Sequence, residues 1–521
     1  MKQSRNPALI SATLLTAFLL GLFPSELLLC QSLPKRITDS WSFISKTTCG
    51  VDRFLSRYPT ADGRGTIIVI LDTGVDMGVA GLKKTSEGGQ KVIDVQNFSG
   101  NGDVALNQPI LVKTDSGLVF QDSAKQVRLS GFEKLQLKAK SDSYLIGVFD
   151  EKRMQNSDVP DLDGDGKSST RFGILVYQTD SGYMAIVDTD ADGSLSDEQA
   201  IRSYKKHFDT FTFVRHGKDK RPAMTTALNI FPEKNLVVLH FDEGSHGTHV
   251  AGIASGYNIY SENSEQTFNG IAPGAEIVSC KISDGSIGDL STTGSIKAGF
   301  DYAAELSSRQ PKSVVVNMSF GIPSIMEGMA DLERYLDTLI ESHPNLYVCI
   351  SNGNEGPGLS TTGLPAASKR VISVGALLNK DIARESFNSL QQHNLVWNFS
   401  SRGGEVQKPD IVAPGSAHST VPNYTYKTLS SGTSMASPYV AGSIAVLLSA
   451  LLQHDSVGVA SHFYPQRLIR TALRVSATPM PAYTELDCGT GILNIEKAYQ
   501  TLGSYRKSGF ASKLIDYTIQ T

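Results

Sequence analysis

The chain is 521 residues long, 40% hydrophobic and 19% charged, the balance of a globular protein with one large domain or two to three ordinary ones. A formal net charge of -4 gives no basis for binding nucleic acid or an anionic membrane surface, and five cysteines are too few for a disulfide scaffold.

Residues 1–32 are a different material from the rest. Lys2 and Arg5 precede an apolar run from Ala8 to Phe23, too short for a comfortable membrane span, so this stretch reads as a secretory signal peptide that is removed. An extension, 33–60, follows. The run "TIIVIL" (66–71) then reads as a buried strand ending on Asp72.

Residues 98–238 break the rhythm. They are richer in Asp, Lys, Ser and Gly and read as a β-rich insertion of short strands and turns. Within it, "DTDADGSLSDEQ" sets Asp188, Asp190 and Asp192 at alternate positions before Gly193, the start of a twelve-residue calcium loop. Its closing position holds Gln199, with Glu198 one residue short. "DLDGDGK" repeats the pattern with Asp161, Asp163 and Asp165, but its twelfth position is Phe172. Calcium is therefore expected at most as a structural ion, at the Asp188 loop first, and no cofactor is needed for the chemistry.

After the insertion, the apolar runs 275–282, 313–320 and 346–351 alternate with helical patterns at 293–306 and 330–343. Unbroken apolar strands alternating with helices predict an α/β fold: a doubly wound, mostly parallel sheet covered by helices on both faces. Cys280 and Cys349 fall inside such strands and read as free, buried thiols.

In an open α/β sheet, ligands bind at the carboxyl edge, and polar residues gather there. Asp72 ends a strand and can reach that crevice; its neighbour Asp76 follows the turn and suits a structural or solvated role. In "GSHGTHVAG", His246 stands among glycines at a helix start, while His249 falls on the buried side of the helix. "SNGNEGPG" offers Asn352 and Asn354. In "LSSGTSMASPYVAG", Ser434 precedes an apolar helix, in which Pro438 is expected within the first turn. By position alone Ser434 is a good helix cap. A base and an orienting carboxylate would make it a nucleophile, and the unpaired N–H groups at a helix start favour a developing negative charge.

"DTGVD", "HGTHVAG" and "SGTSMASP", with "NMSFG" and "NGNEG", resemble the signature blocks of the subtilisin-like serine peptidases (subtilases). Their order Asp, His, Ser is the one subtilisin has. The resemblance implies a catalytic domain over 61–505 with the 98–238 insertion inside it, and a tail over 506–521. It implies Asp72, His246 and Ser434 as the triad and Asn354 as an oxyanion donor. Ser319, Phe320 and Gly321 would form one wall of the substrate pocket, and Ser351, Asn352 and Gly353 the other. Ser430, Ser431 and Ser437 are left as loop and helix-turn residues.

Two further stretches, "FLSRYPTADGRG" with "DTGVDMGVAGL", and "VDTDADGSLSDEQAIRSYK", are similar to the tripeptidyl peptidase II subfamily. That subfamily holds a substrate's free amino terminus with acidic side chains near "LST" and after the S-x-G wall. Here those places carry Thr292, Thr293 and Ile322, with Glu327 out of register. The sequence therefore favours an exported endopeptidase acting on peptide or protein substrates. Tripeptide release is the alternative, and an inactive peptide-binding protein the reading from another class. Nothing in the sequence sets the oligomeric state.

Overall fold

The computed structural model describes residues 43–115, 117–135, 139–141, 143–259, 268–454 and 464–508. The expected signal peptide and residues 509–521 of the expected tail lie outside the described residues.

An eight-stranded sheet forms the centre. Strand Thr66–Asp72 lies between Glu276–Lys281, with Val92–Asn97 beyond it, and Ser313–Met318. Leu346–Ser351 and Ile372–Leu378 continue the second side. These pairings are all parallel, as is that of Ile411–Pro414 with Ile372–Leu378; only the short Leu395–Val396 strand runs antiparallel. The continuous apolar runs follow from burial on both faces. In Thr66–Asp72, Ile68 and Ile70 enter one core, while Ile67, Val69 and Leu71 enter the other, as a two-residue period requires.

The first core is closed by helices His246–Ser255 and Thr433–His454, the second by Thr293–Arg309 and Asp331–Ser342. Among the described residues, one helix is long and apolar enough to cross a membrane. It is the Thr433–His454 helix, and it is the central core helix of this face, 94% buried over its apolar window. Residues 43–60 join this core through Ile44, Cys49, Val51 and Phe54. Cys49, Cys280, Cys349 and Cys488 are free and buried.

The insertion is β-rich, as expected. A four-stranded antiparallel sheet (Tyr144–Asp150, Arg171–Thr179, Gly182–Val187, Ala200–Ile201) carries most of it. A second layer, Ala227–Phe231 with Leu236–His240 and Asp103–Ala105, runs two residues past the expected boundary at 238. The insertion's own core ends on Phe241, only a few residues before His246.

Candidate functional site

Asp72, the last residue of its strand, is fully buried. His246, the first residue of its helix, leaves about a third of its side chain exposed (31%). They meet because two glycines let their segments touch. A Cβ on Gly247 would sit 1.8 Å from the Gly74 carbonyl oxygen, and one on Gly74, whose φ is +117°, would sit 2.1 Å from the Phe241 carbonyl. Ser245, just before His246, is itself held at φ 58°. The result is a 2.7 Å hydrogen bond between His246 Nδ1 and Asp72 Oδ1. A carboxylate only accepts, so Nδ1 carries the proton and Nε2 keeps its lone pair. Asp72 Oδ1 also accepts from the Thr73 N–H at 2.9 Å, and Asp72 Oδ2 has no partner among the described residues.

Burial pulls the His246 imidazole down, but the fields of Asp72, Asp242 and Asp289 outweigh it and the pKa is raised above 6.5. His249 behaves as a structural histidine. It is buried, its Nε2 meets the Thr428 carbonyl at 2.7 Å, and burial holds its pKa down at about 4. Asp76 is structural too. Its carboxylate accepts from the Gly78 and Thr225 N–H groups, which ties the active-site turn to the end of the insertion, and burial raises it to about 6.

Ser434 is the second residue of helix Thr433–His454. Pro438 is the sixth, past the first turn where it was expected. A proline there cannot donate to the Ser434 carbonyl, and the Ser319 hydroxyl does so instead at 2.8 Å. In return the Ser434 hydroxyl donates to the Ser319 carbonyl at 3.1 Å. This reciprocal pair pins the 319–321 wall to the serine. Ser437 adds a further tie, donating to Asn317 Oδ1 at 2.7 Å, while Ser430 and Ser431 lie in a short strand paired with Ser416–His418. Among the described residues no hydrogen bond joins His246 Nε2 to the Ser434 hydroxyl, although both line one cleft.

Asn354 lines the same cleft. Its Oδ1 accepts from the Thr433 N–H and hydroxyl, both at 3.0 Å. A backbone N–H can only donate, which fixes the amide orientation and leaves Nδ2 without a hydrogen-bond partner among the described residues, on the Gly432 side where the Ser434 N–H also lies. Ser319, Phe320 and Gly321 line one side of the cleft, and Ser351 and Gly353 the other. Asn352 departs from the expectation. Its side chain is buried and faces away, donating to the Ser401 carbonyl and accepting from the Ser373 hydroxyl. It stands just past the buried strand that ends on Ser351, with its side chain turned to the core.

Several residues that sequence reasoning missed hold this arrangement. Thr73 Oγ1 accepts from the Gly247 N–H at 2.9 Å and donates to Asp242 Oδ1 at 2.7 Å, and Asp242 Oδ2 accepts from the Thr248 N–H at 2.9 Å. Lys281 and Glu243 form a fully buried ion pair at 2.6 Å, and Lys281 Nζ also donates to the Thr73 carbonyl at 2.7 Å. Burial pushes the Glu243 carboxyl up, against the pull of Lys281. The available signal was two charges, Asp242 and Glu243, following directly on an apolar strand. The Asp188, Asp190 and Glu198 carboxylates lie together in the insertion, away from this cleft's lining.

Residues 63–492 match the profile of the Subtilase family. The chain is 28% identical over 550 aligned positions to tripeptidyl-peptidase 2 of Oryza sativa subsp. japonica, covering 92% of this chain and 38% of that protein. It is 28% identical over 517 positions to pyrolysin of Pyrococcus furiosus, covering 85% and 35%. The chain thus spans little more than a third of the length of these curated relatives. Among solved structures, tripeptidyl peptidase 2 (TPP II) superposes with a TM-score of 0.67 at 24% identity, covering 89% of this chain and 38% of that one. The CspB protease of Clostridium perfringens superposes with a TM-score of 0.52 at 17% identity, covering 89% and 98%. At these identities the superpositions speak for the fold alone.

Proposed function

Because this chain belongs to the subtilase family, we propose that it is a serine peptidase cutting extended or unfolded polypeptides internally, with Ser434 as nucleophile, His246 as general base and acid, and Asp72 as the orienting carboxylate. The observation that carries this reading is the 2.7 Å Asp72–His246 hydrogen bond at a cleft that also presents Ser434 and Asn354.

The Ser434 hydroxyl turns from the Ser319 carbonyl toward His246 Nε2 and gives up its proton as Oγ bonds to the substrate's carbonyl carbon. The carbonyl electron pair moves onto oxygen, which accepts from the Ser434 N–H and Asn354 Nδ2. The tetrahedral intermediate collapses, the C–N bond breaks, and the leaving amine takes the proton from Nε2. Water, deprotonated by the same nitrogen, then attacks the acyl-enzyme and frees Ser434. Asp72 stabilises the imidazolium in each half-reaction, and the raised pKa of His246 is consistent with that task. No metal takes part.

The exposed Ile322 side chain in the cleft lining, and the exposed Leu290 that follows the lining residue Asp289 in the chain, support extended apolar segments as substrates. Release of tripeptides from a free amino terminus is the second reading, favoured by the name of the relatives. The two side chains that the sequence set beside the expected amine clamp, Glu327 and Thr292, are otherwise engaged. The buried Glu327 carboxylate accepts from the Thr362 N–H at 2.7 Å and the Val406 N–H at 3.3 Å, and the Thr292 hydroxyl caps a helix by accepting from the Ser295 N–H. Mass-spectrometric mapping of cuts in a denatured protein, with amino-terminally blocked and free peptides in parallel, decides between the two. Internal cuts and turnover of blocked peptides are expected; a ladder of tripeptides from free termini alone would overturn the endopeptidase reading. Export rests on residues 1–32, and recovery of the active chain outside the cytoplasm, cleaved near Gln31, tests it.

A further inference from the structure

We propose that Asp289 selects substrates carrying a lysine or arginine side chain at the second residue on the amino side of the cleaved bond. The inference deepens the peptidase reading above and rests on it.

Among the described residues that line the cleft, the charged side chains are His246, Asp289 and Glu355, with no lysine or arginine. Glu355 already has donors: its Oε2 accepts from the Asn354 N–H at 2.8 Å and from the Ser401 hydroxyl at 3.1 Å. Asp289 is in a different position. Its Oδ1 has no hydrogen-bond partner among the described residues. Lys281, whose field it feels, is held by Glu243 in the buried ion pair at 2.6 Å. A carboxylate withdrawn from water without donors is destabilised, and a cation brought in by the substrate offsets that cost. Burial above all raises the Asp289 carboxyl above its ordinary pKa, with Lys281 pulling the other way, which is in keeping with a missing positive partner.

The place of Asp289 assigns the substrate residue. A Cβ on Gly244 would lie 3.0 Å from Asp289 Oδ2 and 2.9 Å from Thr73 Cγ2. Asp289 therefore reaches into the space that a side chain at 244 would take, two residues before His246, and its field acts on the imidazole. A substrate set for attack by Ser434 puts its first side chain between the 319–321 and 351–353 walls. In an extended chain the next side chain toward the amino terminus points the opposite way. It leaves that pocket and faces His246, Gly244 and Asp289. A lysine or arginine there can lay its aliphatic stem along the imidazole and bring its charge to the carboxylate.

The backbone that presents this carboxylate is fixed. Asp289 sits at φ 59°, its N–H donates to the Asp284 carbonyl at 2.9 Å, and Asp284 Oδ1 accepts from the Ser286 N–H at 2.9 Å and hydroxyl at 2.6 Å. The insertion braces it from outside. Asn156 Nδ2 donates to the Ser286 carbonyl at 2.6 Å, and the Asp158 N–H donates to the Glu243 carbonyl at 3.1 Å. Both the loop that carries Asp289 and the residue before Gly244 are thus held by the insertion, which gives it a part in substrate selection.

The test uses the full chain and peptides blocked at both ends, identical except for lysine, arginine or uncharged norleucine at that residue. At low salt, kcat/KM for lysine over norleucine is expected to be about tenfold, the scale of one hydrogen bond to a charged group. Asp289→Asn should bring the ratio close to one, and high salt should shrink it in the parent. The ratio compares two peptides on one enzyme, so a general loss of activity cannot mimic it, and the norleucine peptide reports separately on the charge of His246. Equal kcat/KM for lysine and norleucine in the parent would overturn the proposal, as would a lysine preference that survives Asp289→Asn. A gain from unblocking the amino terminus that exceeds the gain from lysine would assign the cation to the terminus and overturn it too. Binding of the same peptides to the Ser434→Ala chain, read by fluorescence anisotropy, keeps the test independent of turnover, and the lysine preference is expected in Kd as well. A parent chain that binds with that preference but never cleaves would overturn the peptidase reading and leave the Asp289 site standing.

Discussion

Around His246, four carboxylates crowd into a small volume: Asp72, Asp242, Glu243 and Asp289. In the insertion, Asp188, Asp190, Asp192 and Glu198 crowd into another. Three members of the first group have fixed partners. Glu243 has Lys281, Asn101 Nδ2 at 2.8 Å and the Gly285 N–H at 3.0 Å; Asp242 has Thr73 and Thr248; Asp72 has His246. The second group draws mainly on N–H groups of its own loop. A buried carboxylate whose partner is built into the chain can be aimed, and here it is aimed at an imidazole. One with an oxygen that no donor reaches, as with Asp188 Oδ1 among the described residues, carries an uncompensated burial cost instead.

The largest effect that could break this contrast comes from the nucleophile. Ser434→Ala is expected to lower kcat by a factor on the order of 10⁶ without unfolding the chain, the general scale for a member of such a triad. Peptidase activity that persisted in the purified variant would remove Ser434 from the mechanism. Next comes the built-in cation. Lys281→Met leaves Glu243 buried without its partner, at a cost of about 3–5 kcal/mol in unfolding free energy, measured by denaturant titration on the Ser434→Ala background. A stability within experimental error of the parent would show that the pair does not anchor the turn. Third, Asn354→Leu removes one oxyanion donor and should lower kcat by about 10²–10³ with KM little changed, the general magnitude for a single such donor, subtilisin's included. A change confined to KM would make Asn354 a substrate-binding residue instead.

The parts legible in the sequence are those in which chemistry and local backbone coincide. Gly74 and Gly247 are needed where two segments touch, so "DTG" and "HGT" announce the meeting of Asp72 and His246 before any tertiary contact is known. The strands were legible because both their faces are buried, which leaves no polar alternation to confuse them. What was not legible depends on long-range pairing. Asn101 reaches Glu243 across 142 positions, and the Ser319 hydroxyl that stands in for the N–H missing at Pro438 comes from 115 positions away. Asn352 was expected in the pocket wall on the family resemblance, but one residue past a strand end reverses the face a side chain presents.

The smallest expected effect sharpens the comparison most, because it isolates charge from bonding. Asp289 lines the cleft, its Oδ1 has no hydrogen-bond partner among the described residues, and its field helps to raise the His246 pKa. Asp289→Asn therefore removes a charge while keeping the shape, and its φ of 59° is one that asparagine tolerates as well as aspartate. The reaction needs neutral His246, so in the parent kcat/KM falls as pH drops through the raised imidazole pKa, above pH 6.5. Without Asp289 the imidazolium loses part of its stabilisation, the pKa falls, and the acidic limb moves to lower pH. The rate on the plateau, where His246 is already neutral, should change little. A pH profile of kcat/KM that keeps its acidic limb in place would mean that Asp72 and Asp242 alone set the imidazole's charge, and that Asp289 belongs with the unpartnered carboxylates of the insertion rather than with those aimed at His246.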